Sequence, residues 1–122
     1  MRFILVGEPV PKGRPRLNKT TGSIYTPKDT VVYEDSIAMM AMTQRERYGS
    51  QLVKITALFF TAKKRGADID NLFKAVADGL LKGGILDDDS QIVEAHAVRI
   101  KSAKPRVEIT IEPADQLEEV EA

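Results

Sequence analysis

The stretch Leu52-Val53-Lys54-Ile55-Thr56-Ala57-Leu58-Phe59-Phe60 decides the architecture. Side chains alternate along an extended chain. Read as a strand, it places Val53, Ile55, Ala57 and Phe59 on one face and Leu58 and Phe60 on the other. Apolar residues on both faces predict a central strand. Downstream, Leu72, Ala75, Val76, Gly79 and Leu80 recur at helical spacing. They predict a helix that starts at Asp68 or Asp70, continues to about Leu81 and ends at Lys82-Gly83-Gly84.

Upstream, Thr26-Pro27-Lys28-Asp29 has the form of a helix start, with threonine as cap, proline at the first helical position and an acid soon after. This helix is expected to reach about Tyr48, where Gly49 stops it, with Val32, Ser36, Met39, Met40 and Thr43 along one face and Ile37 beside it. Arg2 to Val6, Ile92 to Lys101 and Arg106 to Ile111 read as strands, and Ile24-Tyr25 as a short one. Ser102-Ala103-Lys104-Pro105 is a turn, so the last two long strands are expected to pair as a hairpin. Between Glu8 and Asn18, three prolines and a glycine exclude a regular element. The order β-α-β-α-β-β predicts an α+β, two-layer fold: a mixed β-sheet of about four strands with two helices packed on it.

A chain of 122 residues fits one domain. Its 43% hydrophobic and 30% charged residues suit a folded protein rather than a disordered one. With no cysteine, disulfide frameworks and zinc-thiolate sites are excluded, and a cytoplasmic location is expected. The longest apolar runs are far too short to span a membrane, and the N-terminus lacks a signal-peptide pattern. The net charge is zero, but Glu112, Asp115, Glu118, Glu119 and Glu121 end the chain with no base among them. Residues 1–112 are therefore expected to form the domain and 113–122 an acidic, disordered tail. The body carries its bases in clusters: Lys12, Arg14, Arg16 and Lys19; Lys63, Lys64 and Arg65; Lys101, Lys104 and Arg106. Such clusters suit a polyanionic partner, and they also suit an ordinary solvated surface.

The acids are grouped too. Asp68 and Asp70 open the second helix, Lys74 follows one turn on, and Asp87-Asp88-Asp89 lies beyond the Gly-Gly turn. Carboxylates brought together raise one another's pKa unless a cation such as Mg²⁺ holds them. Three structural roles stand beside that reading: helix capping by Asp68 and Asp70, a polar turn for the aspartate triplet, and a Lys74–Asp70 pair on the helix. An EF-hand is excluded, because its glycine and glutamate positions hold Phe73 and Gly79. His96, the only histidine, reads as a packed or surface residue. Acids for a metal and bases for phosphate are together the ingredients of phosphodiester hydrolysis.

Val10-Pro11-Lys12-Gly13-Arg14-Pro15-Arg16, Asp68-Ile69-Asp70-Asn71-Leu72-Phe73-Lys74-Ala75 and Leu86-Asp87-Asp88-Asp89-Ser90-Gln91-Ile92-Val93 resemble the RusA family of Holliday junction resolvases, found often in phages and prophages. The resemblance runs from Phe3 to about Glu112. It implies a Mg²⁺-dependent endodeoxyribonuclease, with Mn²⁺ as a substitute ion. This enzyme would act as a homodimer on four-way junction DNA, cutting by paired symmetric nicks in recombination and repair. The family's catalytic aspartates fall on Asp68, Asp70 and Asp89, which would hold the metal, with Asp88 as an alternate ligand. Its catalytic lysine falls on Lys74. Lys12, Arg14, Arg16, Lys63, Lys64 and Arg65 are the candidate DNA contacts. The alternative is a junction- or DNA-binding module without catalysis.

Overall fold

The computed structural model describes residues 1–115, 117, 119 and 120. Four strands form the main sheet: β1 (Arg2–Val6), β4 (Val53–Thr61), β5 (Ile92–Lys101) and β6 (Arg106–Pro113). Two further strands of two residues each, β2 (Arg16–Leu17) and β3 (Ile24–Tyr25), pair into a small ribbon outside it. The helices are α1 (Lys28–Thr43) and α2 (Ile69–Lys82). This is the expected α+β arrangement, with β4 interior to the sheet.

The sheet order is β1-β6-β4-β5. β4 and β5 run parallel with α2 connecting them, whereas β6 lies antiparallel to both β4 and β1. The expected hairpin of β5 with β6 does not form. The Ser102–Pro105 turn carries the chain over the end of β4, where Ser102 N–H donates to Thr61 O at 2.9 Å, and β6 descends on the far side. Between β1 and β4 the last strand gains a partner on each flank, where pairing with β5 at the sheet edge would give it one. β6 instead fills the gap between β1 and β4.

One sheet face and the two helices enclose the core. Phe3, Val53, Ile55, Phe59, Val107, Ile109 and Ile111 face Ile37, Ala41, Leu72, Val76 and Leu80. The stripe expected on α2 is the buried one. On α1 the expected face is wrong. Thr30, Tyr33, Glu34, Ile37, Ala38 and Ala41 are buried, whereas Val32 and Met39 are exposed. Two polar residues on the inner face hid its true orientation. Thr30 is buried because its hydroxyl accepts Gly13 N–H at 2.9 Å and faces Pro11 O. A Cβ on Gly13 would stand 2.8 Å from that hydroxyl oxygen, so the site admits only glycine without adjustment. Gly79 likewise lets α2 cross α1 closely, since a Cβ there would meet Ile37 Cβ at 2.7 Å.

The first helix also differs at both ends. Pro27, not Thr26, occupies the cap position, and no side chain caps it. The helix stops at Thr43 rather than near Tyr48, because Arg45 takes a left-handed φ of 58°. Tyr48 then accepts the N-terminal ammonium on its hydroxyl at 3.1 Å. The proline-rich segment holds one short exception to the expected irregularity, namely β2. β6 runs one residue past the expected domain boundary, and Ala114 is buried with its N–H on Leu52 O at 2.7 Å. The tail expectation falls in part on residues 116, 118, 121 and 122, which lie outside those described. Among the described residues no helix is long and apolar enough to cross a membrane.

Candidate active site

The β4–α2–β5 unit assembles the acids. Asp70 and Lys74 project from the first turns of α2, and Asp89 opens the short 3-10 turn, Asp89–Gln91, that precedes β5. These three line one pocket of about 310 Å³ with Phe73, Ala77, Ile92 and Ala95. The Lys74 ammonium lies 4.0 Å from Asp89 Oδ2. Its partner one turn along the helix is Asp78, at 3.6 Å, and not Asp70, the pairing weighed as its structural role.

Asp68 occupies the cap position of α2, yet its side chain accepts no capping hydrogen bond. Asp70 Oδ1 accepts only the N–H of the next residue, Asn71, at 3.0 Å. Capping therefore does not occupy the two carboxylates. Asp68 is outside the set that lines the pocket, and among the described residues no three acidic or histidine side chains converge closely enough to hold a metal. Mg²⁺ is ordinarily held by one or two carboxylates together with water and substrate phosphate, not by an all-protein cage. The donor set fits such an ion through Asp70 and Asp89, with Asp68 two residues from Asp70.

The aspartate triplet is divided by its contacts. Asp88 accepts Ser90 N–H at 3.1 Å and a short bond from the Ser90 hydroxyl. These bonds hold its carboxyl below the usual 3.8. Gln91, buried, accepts the N–H groups of Asp87 (2.6 Å) and Asp88 (2.8 Å) and donates to Gln51 O at 2.6 Å. The glutamine thus staples the acidic turn to the segment that leads into β4, and Asp89 lines the pocket. The triplet's reading as a polar turn holds for Asp88.

The basic candidates occupy different settings. Lys12, Arg14, Asp70, Asn71 and Lys74 line a second pocket of about 480 Å³, so the proline-rich segment borders the acids. Lys12 N–H donates to Asn71 O at 2.9 Å, which ties that segment to α2. The Lys12 ammonium is engaged by Glu34 at 2.7 Å and Asp78 at 3.0 Å. Burial lowers its pKa, and the two carboxylates outweigh that effect, leaving it above 10.5. Arg14 and Arg16 are exposed, Arg16 lying on β2. Lys63, Lys64 and Arg65 are exposed on the β4–α2 loop. His96 is exposed on β5, with Nε2 3.7 Å from Glu94.

Four residues escaped the sequence reading. Glu34 and Asp78 bind lysines, as does Asp35, whose carboxylate is 3.1 Å from Lys82 Nζ. Arg99 on β5 donates to Ala67 O at 3.1 Å, holding the residue before Asp68. Only the i,i+4 spacing of Lys74 and Asp78 was visible in the sequence.

A family model described as endodeoxyribonuclease RusA matches residues 7–112. The crossover junction endodeoxyribonuclease RusA of Aquifex aeolicus (strain VF5) is 30% identical over 112 residues, covering 86% of this chain and 85% of that protein. The protein of the same name from Escherichia coli (strain K12) is 32% identical over 92 residues, or 74% of this chain and 77% of that one. The uncharacterized protein YqaN of Bacillus subtilis (strain 168) is 28% identical over 135 residues, covering 91% and 94%.

Proposed function

This chain belongs to the RusA family of endodeoxyribonucleases, and from that premise we propose that it resolves four-way DNA junctions by paired symmetric nicks in the presence of Mg²⁺. The observation that carries the reading is the single pocket lined by Asp70, Lys74 and Asp89 from two separate elements. Asp70 and Asp89 would hold the ion with water and substrate phosphate, and Asp68, which does not converge closely with them, would be a third carboxylate only once the ion is bound, with Asp88 kept to its turn. When bound, the ion polarises the scissile phosphoryl group and lowers the pKa of water, and Mn²⁺ would substitute.

The chain's own groups supply the rest. Lys74, exposed at the mouth of the pocket, sets positive charge where the leaving 3′ oxygen develops negative charge. Arg14 and Arg16 match phosphate through the planar guanidinium fork. Lys63, Lys64 and Arg65 add a second basic rim on the loop that leads to Asp68. Lys12 belongs to the first rim by position, with its ammonium already bound by carboxylates. Paired nicks on opposed strands require two sites related by a two-fold axis, so the active form is a homodimer. The lack of cysteine suits a cytoplasmic enzyme of recombination and repair.

The test is incubation of the protein with a synthetic four-way junction and Mg²⁺. Symmetric cleavage by the wild type and none by Asp70→Asn is the expected result. Junction binding in EDTA with no nicks under Mg²⁺ or Mn²⁺ would instead identify a non-catalytic junction-binding module.

A further inference from the structure

Asp78 has divided carboxylate oxygens. Oδ1 lies 3.6 Å from Lys74 Nζ, one turn back on α2, and Oδ2 lies 3.0 Å from Lys12 Nζ on the proline-rich segment. Lys12 continues to Glu34 Oε2 at 2.7 Å, and Glu34 Oε1 meets Lys82 Nζ at 3.3 Å. Charges of alternating sign thus run from Asp89 through Lys74, Asp78 and Lys12 to Glu34 inside the helix pair. The Glu34 side chain is only 3% exposed and that of Asp78 20%, so the inner part of the chain is shielded from water. Exposed ion pairs contribute little because two flexible side chains must be ordered. Here one end is fixed by burial.

A lysine ammonium is a point charge on a flexible stem. More than half of the Lys74 side chain is exposed, and its contact with Asp89 is the longer of its two. Among the described residues Asp78 is the one shielded partner that restrains it. We propose that Asp78, tied through Lys12 to buried Glu34, is a positioning residue that fixes Lys74 at the Asp70–Asp89 pocket. This assigns Lys12 to the frame of the site, not to its DNA grip. It rests on the reading of Lys74 as the group that supports the scissile phosphate.

The experiment uses the full chain as Asp78→Asn, Asp78→Glu, Lys74→Ala and the Asp78→Asn/Lys74→Ala double variant. In single-turnover cleavage at saturating protein, Asp78→Asn is expected to slow the reaction about tenfold or more, as misplaced catalytic groups do. Junction affinity in EDTA stays unchanged, and Asp78→Glu recovers most of the rate. In the Lys74→Ala background, Asp78→Asn adds no further loss, because it acts through the lysine. Equal slowing in both backgrounds, or no slowing, overturns the proposal. A second readout needs neither DNA nor metal: the ¹⁵N order parameter of the Lys74 ammonium. It falls in Asp78→Asn if Asp78 positions the lysine, and an unchanged value overturns the proposal. A wild type that fails to cut, together with a Lys74 order that depends on Asp78, would refute the nuclease reading and leave the positioning intact.

Discussion

Lys74 Nζ stands 4.0 Å from Asp89 Oδ2, across a pocket whose other acid, Asp70, shares the lysine's own helix. That separation is too long for a hydrogen bond, so the acid does not consume the ammonium. Lys74→Ala is therefore expected to retain junction binding while the rate at saturating DNA falls by roughly 10²–10³. Binding titrations in EDTA beside single-turnover rates check this. Parallel losses in both would make Lys74 a binding or folding residue.

Asp88 and Asp89 are adjacent but have different duties. Asp89→Asn should abolish Mg²⁺-dependent cleavage and leave the melting temperature near that of the wild type. Asp88→Ala removes the bonds to Ser90 and should lower the melting temperature, with cleavage reduced but present. The reverse pattern would place the ligand at Asp88.

Gln91 holds the acidic turn through three hydrogen bonds. Gln91→Ala leaves two backbone N–H groups and the Gln51 carbonyl without their partner. Leaving such groups unsatisfied costs about 1–3 kcal/mol. Urea unfolding should show a lower midpoint at an unchanged m-value. Glu in place of Gln91 should recover only part of it, since a carboxylate accepts the two N–H bonds but cannot donate to Gln51.

The lysine network sets an alkaline limit. Glu34 holds Lys12 above 10.5 against the pull of burial, and Asp35 with Glu34 does so for Lys82. A raised folded pKa stabilises fully below the unfolded value and is lost as pH climbs through the folded one. Stability should thus hold from neutral pH up to about 10 and decline above it, the lysines adding to Tyr33 and Tyr48, whose hydroxyl pKa values burial raises. Lys12→Met should lower stability at neutral pH and flatten that decline. Thermal melts across this range provide the measurement, and an alkaline decline of the same slope in Lys12→Met would refute it.

The end of the domain can be located by truncation. Removing residues 115–122 keeps β6 and the Ala114–Leu52 bond and should leave the melting temperature unchanged. Removing 113–122 takes both Pro113 and Ala114 and should lower it. Either deletion should tighten binding to DNA at low salt by removing negative charge. Equal stability of the two truncations would return the boundary to Glu112.

Much of the sheet was legible because it is written in short-range pattern. Arg2–Val6 and Ile92–Lys101 match their runs residue for residue, and the α2 stripe follows its period. The inner face of α1 was not legible, because Thr30 and Glu34 are buried through contacts with Gly13, Lys12 and Lys82, all remote in sequence. A pattern of apolar residues cannot register a buried acid whose partners lie on other elements. The strand partners of β6 were missed for a related reason: a four-residue turn suggests a hairpin, but β6 pairs with β1 and β4, both remote in sequence. The acids and Lys74 were visible as a motif. That Asp88 closes the turn while Asp89 faces the pocket depends on side-chain geometry that three identical letters do not distinguish.

The insertion of β6 between β1 and β4 also shapes how the protein is made. β1 emerges from the ribosome long before its neighbour β6, which pairs Thr110 with Arg2. Until then β1 has no strand beside it, and one flank of β4 is bare. Contacts this distant close slowly and leave apolar edges exposed in the meantime. The nascent chain can complete the β4–α2–β5 unit early, pocket acids included, but its sheet closes only when β6 follows.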